Sequence, residues 1–171
     1  ALVPLTFSDE LFKPLTGTAL PVRVGNSNAS FDEGMLFTHR GLSGPSILQI
    51  SSFWREGESI FVNLIPNLPL LNLLRSQRQE QGRRNLTTVL AQYLPARLIE
   101  FLIEPLALSG NLADQSDARL SELCEALSAW SLTPSGSEGY RTAEVTLGGI
   151  DTDTLSSKTM MCKSVPGLYF I

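Results

Sequence analysis

One stretch of the sequence, residues 37–45 (Phe-Thr-His-Arg-Gly-Leu-Ser-Gly-Pro), joins a strand pattern to a helix pattern. Residues 35–38 form a short apolar strand candidate. Ser43 is a candidate helix cap, since its hydroxyl can accept from free backbone N–H groups, and Pro45 suits a first helical turn. Apolar residues then recur on one helical face: Ile47, Leu48, Ile50 and Trp54. The stretch therefore predicts a strand, a tight turn and a helix.

Outward from this stretch, strand-like runs dominate both ends of the chain. Short apolar runs separated by turn residues lie at 2–5, 20–24, 35–38 and 60–65, and again at 143–147, 158–161 and 168–171. Such runs are typical of a small barrel or sandwich. We therefore predict one discontinuous β domain, made of residues 1–66 and 132–171.

The middle of the chain, residues 67–131, changes to a helical period. Helices are expected to begin near Asn67 and Pro69, at Asn85, at Pro95 and at about Ser116. Each carries leucines on one face and charged residues on the other. The sequence predicts an α+β protein in which a small helical bundle is inserted into a β scaffold.

Composition excludes several classes of protein. The chain has 171 residues and a net charge of −4, and 43% of its residues are hydrophobic. Its one group of basic residues is interrupted by Glu80, so we expect no nucleic-acid partner; the group is Arg75, Arg78, Arg83 and Arg84. No apolar run reaches the roughly 20 residues that span a bilayer, and no signal peptide opens the chain, so we expect a cytoplasmic protein without a membrane partner.

The termini suggest a piece of a longer protein. The chain begins at Ala1 rather than at methionine, and it stops inside the apolar run 168–171. This run is expected to be a buried strand whose neighbours lie elsewhere. We therefore expect that both ends were cut from a parent chain.

Two glycine-containing loops are candidate sites. The first surrounds His39, where Gly41 and Gly44 could bring backbone close to a phosphate or a flavin edge. The second is residues 146–149, whose glycines could face a planar ligand. In both places the alternative is an ordinary turn, with His39 as a partly buried hydrogen-bonding residue. The sequence leaves these alternatives open.

The two cysteines and the lone histidine lack metal-ligand spacing, so no metal site is predicted. Cys124 lies on an apolar helical face and is expected to be inert. Cys162 lies in a polar region and would be reactive if its pKa were lowered. The sequence does not decide this point.

Two long motifs carry a resemblance to a known family. Residues 37–45 with the following helix form the first, and residues 139–171 form the second, which includes Gly139-Tyr140, 143–150, 157–160 and 165–171. In order and spacing they resemble the middle segment of the YhiN/BaiN-type NAD(P)/FAD-dependent oxidoreductases, the aminoacetone oxidase-like flavoproteins. The chain departs from that pattern at Met161 and Cys162, where a Glu-Ser pair is common.

The resemblance implies a β-barrel of the translation-factor type, with a helical subdomain at 67–131, that covers the flavin in a full-length parent. It implies FAD in that parent, NAD(P)H as a possible donor, a small-molecule substrate, and a missing Rossmann-like FAD-binding domain as partner. The isolated chain is expected to hold no flavin and to be inactive. His39 is the candidate catalytic residue, and the candidate cofactor-facing residues are Thr38, Gly41, Ser43, Gly44, Thr146, Gly148, Gly149, Lys158 and Thr159.

Two other functions remain open on the sequence. The barrel and the helical lobe could form a stand-alone module that binds a protein or a small ligand without redox chemistry. An RNA-binding barrel is the third class, and the acidic balance of the chain disfavours it.

Overall fold

A computed structural model describes all 171 residues, and it confirms the α+β prediction. Seven strands form one antiparallel sheet in the order β6-β5-β2-β3-β4-β1-β7. The strands are β1 (Leu5–Thr6), β2 (Ala19–Gly25), β3 (Ser30–Phe37), β4 (Gly41–Ser43), β5 (Ile60–Asn63), β6 (Trp130–Leu132) and β7 (Gly136–Ser137). The helices are α1 (Pro45–Ser51), α2 (Leu70–Gln81), α3 (Leu86–Leu90), α4 (Ala96–Leu102) and α5 (Asp117–Ser128).

The sheet is rolled up, and its connectivity shows why. Strands β6 and β7 lie at opposite ends of the strand order, yet only residues 133–135 separate them in sequence. Such a link spans at most about 14 Å. Seven flat strands would place their edges about 29 Å apart. The two edges must therefore curl toward each other, as in a barrel.

The helical segment enters this sheet between β5 and β6. Both strands border the segment, and they are paired with each other through Val62 and Trp130. The chain therefore leaves the sheet after β5, forms α2 to α5, and returns beside its point of departure. The division of the chain into a barrel domain and a helical subdomain stays a prediction.

Local capping explains where the helices begin. The side chain of Asn85 accepts from the backbone N–H of Thr87 and caps α3, and the side chain of Ser116 accepts from the N–H of Arg119 and caps α5. Helix α2 begins next to Pro69 and ends at Gly82. These starts agree with the predicted ones.

One continuous core holds the sheet and the helices together. A cluster of 31 buried residues extends from Leu5 in β1 to Leu132 in β6 and includes residues of every α-helix. At its centre Phe12 contacts the rings of Phe37 and Phe101, with centroids 5.2 and 6.0 Å away. Phe37 belongs to β3 and Phe101 to α4, so aromatic packing joins the sheet to the helical segment.

The C-terminal strands were predicted wrongly. Residues 143–147, 158–161 and 168–171 form no strand, and Ile171 is exposed instead of buried. Residues 144 and 145 exchange two backbone hydrogen bonds with Leu2, and Met161 and Tyr169 form one isolated bridge. An apolar alternation can form a strand only where a partner edge is available, and within this chain these residues have none beyond these contacts.

None of the helices combines the length and the apolar character that crossing a bilayer requires.

Candidate functional site

The turn between β3 and β4 holds the first predicted site. The backbone N–H of Thr38 donates to the carbonyl of Gly41 at 2.8 Å, and the N–H of Gly41 donates to Oγ1 of Thr38 at 3.1 Å. A Cβ on Gly41 would lie 2.1 Å from the carbonyl oxygen of Leu5. Gly41 is therefore required by the close approach of β1.

Gly44 has a similar structural role at the start of α1. Its φ is 91°, and a Cβ there would lie 2.7 Å from the carbonyl oxygen of Gly34. Pro45 begins the helix, as predicted, but Ser43 does not cap it. Ser43 lies in β4 and pairs with Leu36 of β3, so its backbone continues the sheet. Neighbouring backbone of the chain thus occupies the space beside both Gly41 and Gly44, so a ligand cannot lie there.

Beside the turn lies a cavity of about 380 Å³ that includes His39, Arg40 and Ser135 in its lining. The side chain of His39 is exposed and makes no hydrogen bond within the chain. Two further lining residues, Asp9 and Glu10, have φ values of 58° and 50°. Positive φ is uncommon for residues with a Cβ and is concentrated at functional sites.

Both signs of charge meet at this cavity. Nζ of Lys13 lies 2.6 Å from Oε2 of Glu10, and this hydrogen bond holds the pKa of the Glu10 carboxyl below its usual value. Nη1 of Arg40 lies 2.8 Å from Oε2 of Glu138. An ionised carboxylate, a guanidinium and an imidazole therefore border one polar space, which we name the His39 cavity.

The second predicted site, residues 146–149, is open. Thr146, Gly148 and Gly149 are exposed, and no atom lies within 4 Å of a Cβ built on either glycine. Gly148 has a φ of 89°, which favours glycine. The backbone here can be approached closely by a planar group or by another domain.

The remaining predicted residues are also exposed. Lys158 makes no hydrogen bond, and Oγ1 of Thr159 accepts from the N–H of Met161 at 3.4 Å. No hydrogen bond or ion pair joins residues 146–149, 158 or 159 to residues 38–44. The structure thus shows no polar contact between the two predicted sets.

The C-terminal segment, residues 140–171, exposes many large apolar side chains, of which the sequence indicated only the run 168–171. Nine large apolar side chains are at least 40% exposed there: Tyr140, Val145, Leu147, Ile150, Met160, Val165, Leu168, Tyr169 and Ile171. The other 139 residues expose only four, namely Leu11, Phe53, Phe61 and Ile103. Exposed apolar side chains in this number, concentrated in one segment, are typical of an interaction site.

A groove of about 520 Å³ between the sheet and the helical lobe was also missed by the sequence analysis. Asp32 and Glu33 of β3 line one side, and Asn67 and Tyr93 line the other. The hydroxyl of Tyr93 accepts from the side-chain amide of Gln77 at 2.7 Å. No pattern in the sequence could mark this groove, because its residues come from segments far apart along the chain.

The thiol of Cys162 has a polar neighbour. Its Sγ lies 3.2 Å from Oγ of Ser164, and this hydrogen bond lowers the pKa of the thiol. Burial raises the pKa of Cys124, in agreement with an inert residue. No three His, Cys, Asp or Glu side chains come together as a metal site would need.

Comparison with known proteins gives two findings. Residues 1–145 match the family model described as HI0933-like protein barrel and H2TH domain. The chain is 45% identical over 179 aligned residues to the ribosomal RNA dihydrouridine synthase of Escherichia coli (strain K12), and 42% identical over 175 to that of Haemophilus influenzae (strain ATCC 51907 / DSM 11121 / KW20 / Rd).

These alignments include 99% and 100% of this chain but 44% of each relative. The chain therefore spans less than half the length of the curated relatives it matches. The family model names a barrel, which agrees with the rolled sheet. Both relatives are named for RNA, so the prediction of no nucleic-acid partner has no support from them. The chain belongs to the HI0933-like family, that of the YhiN-type flavoproteins, as its barrel and H2TH domain.

Proposed function

We propose that this chain is the substrate-side part of an FAD-dependent enzyme that reduces uridine to dihydrouridine in ribosomal RNA. The observation that carries the proposal is the identity of 45%, over nearly the whole chain, to an enzyme with that name. RNA takes the place of the small-molecule substrate that the resemblance suggested. The NAD(P)H donor and the FAD of the parent remain part of the proposal.

Reduction of uridine adds one hydride and one proton across the C5–C6 double bond. Reduced FAD supplies the hydride when it is bound in the parent. The protein must then hold the base, exclude water and deliver the proton. Within this chain, the His39 cavity offers groups of the required kind.

His39 is our candidate for the proton donor. An imidazole can act as a general acid, and this one is exposed and free of hydrogen bonds within the chain. The ionised Glu10 and the guanidinium of Arg40 line the same space of about 380 Å³. They would orient the imidazole and the polar edge of a base.

The open backbone of residues 148–149 is the part of this chain that fits a bound flavin. No atom within 4 Å opposes a Cβ at either glycine, so a planar ring or its neighbouring backbone could lie directly against them. Gly41 and Gly44 do not fit this role, because backbone of the chain already occupies that space. We keep Thr146, Lys158 and Thr159 as proposed neighbours of the same surface.

The exposed apolar side chains of residues 140–171 support a partner within the parent. The aligned region makes up 44% of the length of each relative, so the relatives extend well beyond it. We propose that the FAD-binding domain of the parent covers this surface. A stand-alone module that binds only a small ligand would leave those side chains in water, which disfavours that form of the alternative.

A direct test uses the full-length parent, purified with FAD. Ribosomal RNA transcribed in vitro, which contains no dihydrouridine, is incubated with the enzyme and NADPH or NADH, and its nucleosides are analysed by mass spectrometry. We expect uridine to gain two hydrogen atoms at a defined position. RNA of unchanged mass, with a flavin that NAD(P)H reduces normally, would contradict the proposed substrate.

The role of His39 is tested in the same assay. His39→Ala should slow the reduction of RNA by about 10²-fold or more, as expected for loss of a general acid. Its FAD content and the rate at which NAD(P)H reduces the flavin should not change. His39→Gln, which can donate a hydrogen bond but not a proton, should be equally slow. Full activity of both variants would exclude His39 as the donor.

A further inference from the structure

The loop that follows α2 forms a polar concavity of about 500 Å³ on the helical lobe. Gln81, Gly82, Arg83 and Arg84 form most of its lining, together with Ala113. A Cβ on Gly82 would lie 2.9 Å from the Cβ of Ala113 and 2.7 Å from the carbonyl oxygen of Arg78. Glycine thus allows the end of α2 to meet the loop before α5.

Backbone hydrogen bonds fix the shape of this concavity. The N–H of Ala113 donates to the carbonyl of Gly82, and the N–H of Leu112 donates to the carbonyl of Arg84, both at 2.8 Å. The two segments are therefore held side by side. Their side chains project from a fixed backbone, which lowers the entropy cost of binding a ligand there.

Arg83 and Arg84 lack a carboxylate partner. The guanidinium of Arg84 donates to Oε1 of Gln81 at 2.9 Å and to the amide oxygen of Gln92 at 2.8 and 2.9 Å, whereas the exposed side chain of Arg83 makes no hydrogen bond. Neither forms an ion pair. Glu80 also lines the concavity, and its carboxylate accepts from the hydroxyl of Ser76 at 3.0 Å.

The other arginines of the lobe are already engaged. Arg75 and Arg78 share the carboxylate of Asp117. Arg97 donates to backbone carbonyls of the barrel, and Arg119 donates to backbone carbonyls after α4. Arg83 and Arg84 are the only two adjacent arginines of this lobe that form no ion pair with a carboxylate.

We infer that this concavity, which we name the Arg83–Arg84 concavity, binds phosphates of the RNA backbone. The inference rests on the proposed RNA substrate and adds where the substrate is held. Guanidinium groups match phosphate oxygens in geometry and charge. Such contacts position RNA without reading its sequence, so the concavity would hold the substrate while another region selects the base.

The test measures binding of this 171-residue chain and of its full-length parent to deproteinised ribosomal RNA from Escherichia coli at several salt concentrations. The variants are Arg83→Gln and Arg84→Gln, singly and together. Arg55→Gln is the matched control, since Arg55 is exposed on the barrel side and its side chain makes no hydrogen bond. Circular dichroism verifies that each variant keeps the helical content of the corresponding unsubstituted protein.

Each single substitution is expected to weaken RNA binding about threefold to tenfold near physiological salt and to reduce the slope of log K against log salt by about 0.7 to 0.9. The double variant should lose both contributions, and the control neither. Equal affinity of variants and control would overturn the inference. So would loss of NADPH binding with RNA binding intact, because the phosphate held there would then be that of a dinucleotide.

Failure of the inference and failure of the proposed function give different results. If the Arg83 and Arg84 variants bind RNA normally while the parent still forms dihydrouridine, only the phosphate site is wrong. If the parent forms no dihydrouridine, the proposed function is wrong regardless of RNA affinity.

Discussion

The ring of Phe12 meets the ring of Trp130 edge-on, with centroids 5.8 Å apart and planes at 81°. Phe12 precedes β2 and Trp130 begins β6, so this contact joins segments that are distant in sequence. Phe101 of α4 packs on the same two rings. One phenylalanine therefore connects the N-terminal segment, the edge of the sheet and the helical lobe.

Phe12→Ala should destabilise the chain by about 3–5 kcal/mol, because it removes a buried ring and leaves a cavity among the other aromatic side chains. Urea denaturation followed by circular dichroism measures the change. Phe53→Ala is the control, since Phe53 is 45% exposed. A loss for Phe12→Ala no larger than that for Phe53→Ala would show that the aromatic group does not hold the lobes together.

Gly41→Ala should destabilise the chain by about 3 kcal/mol or more, since the new methyl group would meet the carbonyl oxygen of Leu5 and force β1 from β4. Gly34→Ala is the matched control, because it lies in a strand with no atom within 4 Å of the new Cβ. We expect the control to be neutral or slightly stabilising. Comparable losses at both positions would refute the close approach at Gly41.

The ion pairs of Asp117 predict a dependence of stability on pH. The hydrogen bond from Arg78 lowers the pKa of the Asp117 carboxyl in the folded chain. Its stabilising contribution is therefore present above the pKa of the unfolded chain, near 4, and is lost as the pH falls through the lower, folded pKa. The Asp117→Asn variant should be less stable than the unsubstituted chain at pH 7, and this difference in stability should vanish in acid. Glu56→Gln, at an exposed carboxylate, should show no such difference.

Residues 140–171 should exchange amide hydrogens rapidly in the isolated chain, because nearly all of them are exposed and more than half of their N–H groups make no hydrogen bond. The full-length parent should slow this exchange if its FAD-binding domain covers them. Mass spectrometry of peptic peptides compares the two proteins. Residues 86–128, in the helical lobe, are the internal reference. Equal exchange in both proteins would remove the support for that interface.

Ser164→Ala should slow the reaction of Cys162 with iodoacetamide at pH 7 by about twofold to fivefold, because the thiolate loses the hydroxyl that lowers its pKa. Ser157→Ala is the control for a nearby serine that does not contact the thiol. The rates are measured by mass spectrometry, with Cys124 as the slow internal reference. An unchanged rate in Ser164→Ala would mean that another group sets the pKa.

Local signals in the sequence were enough for the helices. Asn85 and Ser116 cap helices in the structure as predicted, because a capping side chain bonds to backbone only two or three residues away. Ser43 misled the same argument, since pairing with Leu36 keeps it in β4. Sheet pairing depends on tertiary structure, so the local sequence around Ser43 does not predict it.

The strands show the same limit. β3 extends from Ser30, well before the predicted start, because Asp32 lies on its exposed face and pairs with Arg23 across the ladder at 2.8 Å. Residues 143–147 have the alternation of a strand, but their only backbone partner is Leu2, which is too short a contact to form one. Of the residues that line the His39 cavity, the sequence analysis named only His39 as a candidate. Asp9 and Glu10 were missed because the amino-acid sequence does not show that an acidic residue has a positive φ.

Closure of the sheet by residues 130–137 also constrains how the protein is made. A ribosome completes β1 to β5 and all five helices before either closing strand emerges. Until then the nascent sheet ends at β5 and β1, and both expose unpaired backbone groups of the kind that recruit other strands. A product truncated before Trp130 would therefore be prone to aggregation. The helical lobe would then lack the contact between Phe101 and Trp130, but all its helices are present, so it is the part that can fold first.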